Sequence, residues 1–201
     1  MKSSIQIVEK PDWVSWDDIH ELLWKAHEGN RKAGMFMKYP SLSGDEISEL
    51  LGSKGRCFVA LDGDKVVGTC SYKVAKRNTW YAKGQKVAHC VLAGLLPEYR
   101  GSGIYQRLLD YRESFVRKDG INIMDMDTAE RNISVQKAFI RNNFHYVYFN
   151  SFPYGNHYSV YMAKWLDGCP YSLLYCKCRY YFAKLKTKVR FKPGQIKRFG
   201  I

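Results

Sequence analysis

The chain has 201 residues, 46% hydrophobic and 25% charged, with 32 Lys and Arg against 19 Asp and Glu, for a formal net charge of +13. That balance excludes a wholly disordered chain; a chain this long buries about 70% of its unfolded surface, which suits one domain with an appendage. Its longest apolar run, Cys90 to Leu96, falls far short of the ~20 residues of a membrane-spanning helix, and MKSSIQIVEK lacks a signal peptide's apolar core, so a cytoplasmic protein is expected.

In chain order, Ile5 to Val8 reads as a short strand. Ser15-Trp16-Asp17-Asp18 can cap a helix whose Ile19, Leu22, Leu23 and Ala26 recur at helical spacing. Ser43-Gly44-Asp45-Glu46 has the form of a capping box ahead of Ile47, Leu50 and Leu51. Two β-rich runs, Cys57 to Leu61 and Val66 to Val74, flank Asp62-Gly63-Asp64, whose Gly supplies the positive φ of a tight hairpin. Val87 to Leu96 is an apolar strand suited to the middle of a sheet, ended by Pro97. A helix over 102–117, a strand over 121–127, a helix over 133–141 and strands over 144–150 and 158–165 complete the series. The order β-αα-βββ-α-β-α-ββ is an α/β mixture. The six cysteines fall mostly in apolar stretches and match no common zinc spacing, so no metal is expected.

The chemistry concentrates where the central strand meets the next helix. In Arg100-Gly101-Ser102-Gly103-Ile104-Tyr105 two glycines let a ligand approach the backbone, and the opening helix offers unpaired N–H groups and the positive end of its dipole to a phosphate or diphosphate. A Walker loop would need Gly-Lys-Ser or Gly-Lys-Thr, and a dinucleotide fingerprint would put its glycines in the first βα turn. Here they come mid-chain, after two helices and a hairpin.

This segment resembles motif A of the GNAT superfamily of N-acetyltransferases, Arg/Gln-x-x-Gly-x-Gly/Ala after the fourth strand. Arg100 and Gly103 match, and Tyr105 stands in place of the last small residue. Asn132 to Phe144 is similar to the superfamily's motif B, with Asn132 and Phe144 agreeing in type, Val135 for Ala, Phe139 for Tyr and Asn143 for Gly. Asn is the next best residue after Gly for a left-handed helix end. The resemblance implies a mixed, mostly antiparallel sheet flanked by helices, with a splayed gap between the fourth and fifth strands and a basic C-terminal helical tail.

It also implies an N-acyltransferase that moves an acetyl or other short acyl group from CoA to a small amine, an amino sugar for example, by direct attack in a ternary complex. On this reading acetyl-CoA is the acyl donor. Leu95 and Leu96 bond the pantetheine, Arg100, Gly101, Ser102, Gly103, Ile104 and Tyr105 hold the diphosphate, and Asn132 and Phe139 complete the cofactor site. The Ala93 amide faces the tetrahedral oxyanion. Phe139 replaces the tyrosine that in many members protonates the departing thiolate, leaving Tyr105, Tyr146, Tyr148 and Tyr158 as candidate acids.

A base is also needed. His89, eleven residues before Arg100, stands where several members carry a catalytic Glu, and imidazole titrates near ~6.5 in water; the alternative is a hydrogen-bonded core histidine. Asp125 and Asp127 share one strand face, and Asp127 at the end suits an acceptor ammonium or the base. The acceptor pocket is expected from variable segments such as 30–40 and 149–158.

Residues 168–201 contain Lys177, Arg179, Lys184, Lys186, Lys188, Arg190, Lys192, Lys197 and Arg198 and no Asp or Glu, leaving +4 for residues 1–167. The turn-like Asp167-Gly168-Cys169-Pro170 therefore separates a 1–167 domain from a basic amphipathic extension, 168–201. Tyr171, Leu174, Tyr175, Cys178, Phe182, Leu185 and Val189 fall on one helical face between two cationic edges, a pattern suited to membrane-surface contact through 171–198 at the inner face. Docking onto the main domain or a second copy is the other reading, nucleic acid ranks last, and both monomer and homodimer stay open. The competing functional class is a non-catalytic basic module, binding nucleic acid or membrane on a degenerate GNAT fold.

Overall fold

A computed structural model of the chain describes residues 5–35, 41–152 and 157–190. The elements are β1 Gln6–Glu9, α1 Trp16–Ala26, α2 Glu28–Lys32, α3 Gly44–Leu51, β2 Arg56–Asp62, β3 Lys65–Lys76, β4 Lys86–Leu95, α4 Ile104–Lys118, β5 Ile123–Ala129, α5 Ile133–Arg141, β6 His145–Phe152, β7 His157–Trp165 and α6 Leu173–Arg190. The strands form one sheet in the order β1-β2-β3-β4-β5-β7-β6, antiparallel throughout except for the parallel pair β4–β5.

Local chemistry sets the boundaries. Both serine caps form full capping boxes: the Asp18 N–H donates to Ser15 Oγ at 3.0 Å and the Ser15 N–H to Asp18 Oδ2 at 2.7 Å, with Ser43 and Glu46 repeating the pattern. Gly63 takes φ +59 in the β2–β3 hairpin. Asn143 takes φ +63 just past α5, the left-handed position for which Asn is suited. The helix expected from Ser102 instead starts at Ile104, because Gly103 sits at φ +82 as its N-cap.

α1 buries Ile19, Leu22, Leu23 and Ala26, and α4 buries Leu108, Leu109 and Val116 on the other side of the sheet. Gly94 allows α1 its approach: a Cβ there would lie 3.1 Å from the Ala26 Cβ and 3.2 Å from Leu23 Cδ2. The loop between β3 and β4 folds over the far half of the sheet, where Tyr81, Ala82, Val87, Ile123, Val147 and Ala163 form a second, smaller core. α6 packs along β6, with Tyr180 stacked on Tyr146 at 4.8 Å and the Thr187 hydroxyl donating to the Phe149 carbonyl at 3.2 Å. Among the described residues no helix is long and apolar enough to cross a membrane.

Candidate active site

β4 and β5 pair only at Ala88↔Met124 and His89↔Asp125, and then separate. On its other edge β4 stays paired with β3, but the register slips between Thr69↔Gly94 and Ser71↔Val91, and Leu92 takes φ +50. A branched residue held there costs about 1–3 kcal/mol, and such strain clusters at functional sites. Alternate residues of a strand direct their backbone groups to opposite edges. The Leu96 N–H donates to the Val67 carbonyl of β3 at 3.0 Å, so Leu95 and Ala93 face the unpaired edge. This corrects one expectation: Leu96 has its amide committed to β3 and is not in the gap.

The Ala93 carbonyl accepts a hydrogen bond from His27 Nε2 at 2.9 Å, while Asn30 Nδ2 lies 3.2 Å from His27 Nδ1. Burial pushes the His27 imidazole below its ordinary value, the Arg100 and Arg31 charges push the same way, and the Ala93 carbonyl opposes them only in part. His27 is therefore a neutral strut between the end of α1 and the bulge of β4.

The turn after β4 is open. Nothing lies within 4 Å of where a Cβ would stand on Gly101 (φ +77) or Gly103 (φ +82), and no side chain caps α4. The Arg100 side chain turns back to donate from Nη2 to the Ala26 carbonyl at 2.7 Å, tying the turn to the C-terminal end of α1. The Ser102 hydroxyl donates to the Tyr99 carbonyl and Ile104 is buried, so these two contribute through the backbone.

A cleft of ≈ 480 Å³ joins these parts, lined by His27, Asn30, Ala93, Gly94, Leu95, Arg100, Gly101, Tyr105, Asn132, Ser134, Val135 and Ala138 among others. Of the expected cofactor residues, Leu95, Arg100, Gly101, Tyr105 and Asn132 line it, as does Ala93. Asn132 is the N-cap of α5, its Nδ2 donating to Thr128 Oγ1 at 3.2 Å. Phe139 does not reach the cleft; it is buried edge-to-face against Phe144 at 4.8 Å, and it anchors α5 rather than touching a ligand.

His89 and Asp127 also lie outside the cleft, His89 being four residues up β4 from Ala93, roughly 13 Å of strand. They form a distinct cluster. His89 Nδ1 donates to Asp125 Oδ1 at 2.7 Å, and Arg77 Nε (3.0 Å) and the Tyr81 hydroxyl (2.8 Å) both donate to Asp125 Oδ2. His89 Nε2 lies 3.5 Å from Asp127 Oδ1. Burial alone would raise Asp125, but the His89 hydrogen bond, the His89 and Arg77 charges and the Tyr81 hydroxyl outweigh it and hold the carboxyl below its ordinary value. The Asp125 carboxylate on Nδ1 orients the ring so that Nε2 faces Asp127, and His89 itself is buried. Next to Asp127, burial and the Asp127 charge push the Tyr161 phenol up to about 12.

Of the four candidate acids only Tyr105 lines the cleft, and burial pushes its phenol up, which weakens it as a proton donor. The Tyr146 hydroxyl donates to Gln136, Tyr148 packs on Tyr161, and Tyr158 packs on Phe149. His27, Arg77 and Tyr81 were not anticipated: each acts across the fold, and no local pattern marks it. Parts of the expected acceptor segments, 36–40 and 153–156, lie outside the described residues.

Among curated proteins none matches the chain in sequence. Solved structures do match in fold. The ribosomal-protein-S18-alanine N-acetyltransferase of Escherichia coli aligns with a TM-score of 0.63 at 14% identity, covering 81% of this chain and 94% of that one. A GNAT-family acetyltransferase of Staphylococcus aureus Mu50 gives 0.61 at 16% identity (81% and 99%), and an acetyltransferase of Streptococcus agalactiae gives 0.60 at 19% (81% and 98%). The model of the acetyltransferase (GNAT) family matches residues 16–144, a span that runs from the start of α1 through the splayed strands and the glycine turn to just past α5. On that match, and with this sheet, the chain belongs to the GNAT family of acetyltransferases.

Proposed function

We propose that the protein transfers an acetyl or other short acyl group from CoA to a primary amine of a small acceptor, an amino sugar for example, by direct attack in a ternary complex. The observation that carries this reading is the parting of β4 from β5 beside an uncapped, glycine-lined turn. The residues present fit the donor. The unpaired edge at Leu95 suits an amide-bearing pantetheine arm and leaves the Ala93 amide for the oxyanion; the Arg100 N–H is held by the Pro97 carbonyl, so the amides from Gly101 to Tyr105 are the ones that suit the diphosphate. CoA supplies the activated thioester; the chain supplies alignment and proton transfer.

His27 fixes the bulge so that the Ala93 amide holds its aim, a preorganised donor of the kind worth about 3–4 kcal/mol in acyl transfer. Asp127 attracts the acceptor ammonium and His89 Nε2 takes its proton, with Asp125 holding the ring. At roughly 13 Å of strand from Ala93, His89 takes that proton through a chain of waters.

One feature favours a second reading, a non-catalytic module on this fold: Phe139 occupies the place of the family's proton-donating tyrosine and has no proton to give. Thiol release from acetyl-CoA, followed with a thiol reagent across a panel of primary amines that includes amino sugars, separates the two. Amine-dependent release is expected; no release with any amine, together with tight binding of polyanions, would favour the module.

A further inference from the structure

α6 has two apolar faces, and the fold covers only one. Cys176, Tyr180 and Thr187 are buried against β6 and its neighbours. On the opposite side Leu174, Cys178, Phe182, Leu185 and Val189 follow one another at steps of three and four residues, with Tyr181 beside them, which places them on one continuous face. They are not covered: Leu174, Tyr181, Phe182, Leu185 and Val189 are between 63% and 73% exposed. Isolated exposed apolar residues are ordinary, but a row of five along one helix is a contiguous patch of the kind that marks an interaction surface.

The borders of that row are cationic. Lys177, Lys184 and Lys188 run along one edge and Arg179, Lys186 and Arg190 along the other, with no Asp or Glu anywhere in 168–201. Lys184 and Lys188 also reach Glu130, at 2.8 and 3.1 Å; the other four pair with no carboxylate among the described residues. Beside the second edge lies a cavity of ≈ 250 Å³ whose walls include Trp80, Tyr148, Arg179, Lys186 and Arg190, aromatic and cationic together.

We propose that this face of α6 seats the protein on an anionic phospholipid surface. The aliphatic and aromatic row enters the boundary between headgroups and acyl chains, the flanking cations meet phosphates, and the cavity takes a headgroup at the rim. Charge argues against a second copy, since pairing two such faces would press their cationic edges together. Shape argues against nucleic acid, because the apolar row stands between the two lines of cations and would meet the phosphates first. α6 and the cavity beside it carry this proposal, which does not depend on acyl transfer.

The test is flotation of the full chain with phosphatidylcholine vesicles with and without phosphatidylglycerol. The protein is expected to bind the anionic vesicles at least about tenfold better, and less as salt rises. The double variant Phe182→Glu with Leu185→Glu should lose that binding while keeping the wild-type melting temperature, because both side chains lie outside the packed face. Equal binding to the two vesicle types, or undiminished binding by the double variant, would overturn the proposal. So would a dimer in sedimentation velocity that the variant dissolves, or tight binding of duplex DNA with none to vesicles.

Discussion

At the residue scale the proposed mechanism gives two histidines different tasks, His27 at the cleft and His89 in the cluster beyond it. His89 presents Nε2 beside Asp127 while Asp125 holds its Nδ1, so His89→Gln should lower kcat by roughly 10²–10⁴-fold with little change in CoA affinity. An unaltered pH–rate profile in that variant would remove His89 from the proton transfer. His27 is a strut whose folded form resists protonation. Its neutral state is therefore favoured by folding at neutral pH, and stability is lost as pH falls below about 6.5, where the unfolded chain takes up the proton first. His27→Asn should flatten that acid-side loss in urea titrations at a series of pH values; an unchanged slope would exclude the strut as its source. That Asp125 and Asp127 share one face of β5 could be read from sequence, because strand side chains repeat every two residues, but their meeting with His89, 36 positions from Asp125, could not. The His27–Ala93 bond spans 66 positions, and no local pattern reports such a contact.

At the scale of elements, the strands and capped helices were legible because turn and cap residues act on their near neighbours: Asp62-Gly63, Ser15, Ser43 and Asn143 each do what their chemistry suggests. The bulge was not. Leu92 takes φ +50 where the β3–β4 register slips, and a leucine carries no signal for it. Leu96 is excluded from the gap by simple alternation: consecutive residues of a strand turn their backbone groups to opposite edges, so Leu95 and Leu96 cannot both face it. Gly94→Val should show how closely α1 is tied to that bulge: with contacts already at 3.1 and 3.2 Å for a bare Cβ, the variant should lose about 1–3 kcal/mol and bind CoA more weakly. Wild-type stability and affinity together would mean that α1 does not shape the cleft.

At the scale of the whole molecule a basic helix, α6, packs along the outer strand of a splayed sheet. The sequence shows α6's apolar row and its cations but not which side docks, because the buried side is made of Cys176, Tyr180, Ala183 and Thr187, residues that read as weakly apolar. They dock by fit and hydrogen bonding: Tyr180 stacks on Tyr146, and the Thr187 hydroxyl satisfies a β6 carbonyl. Tyr180→Ala should thus cost about 3 kcal/mol in urea unfolding and leave CoA binding intact. A loss of CoA binding in that variant would instead couple α6 to the cleft. The central claim is that bare backbone donors between Arg100 and Tyr105 grip the diphosphate of CoA. Calorimetric titration of acetyl-CoA into the wild type and into Gly103→Val tests it most directly. One site per chain, with a Kd in the tens of micromolar or tighter and at least about tenfold weaker binding in the variant, is the predicted result. No heat at those concentrations, or equal affinity in the two proteins, would contradict it.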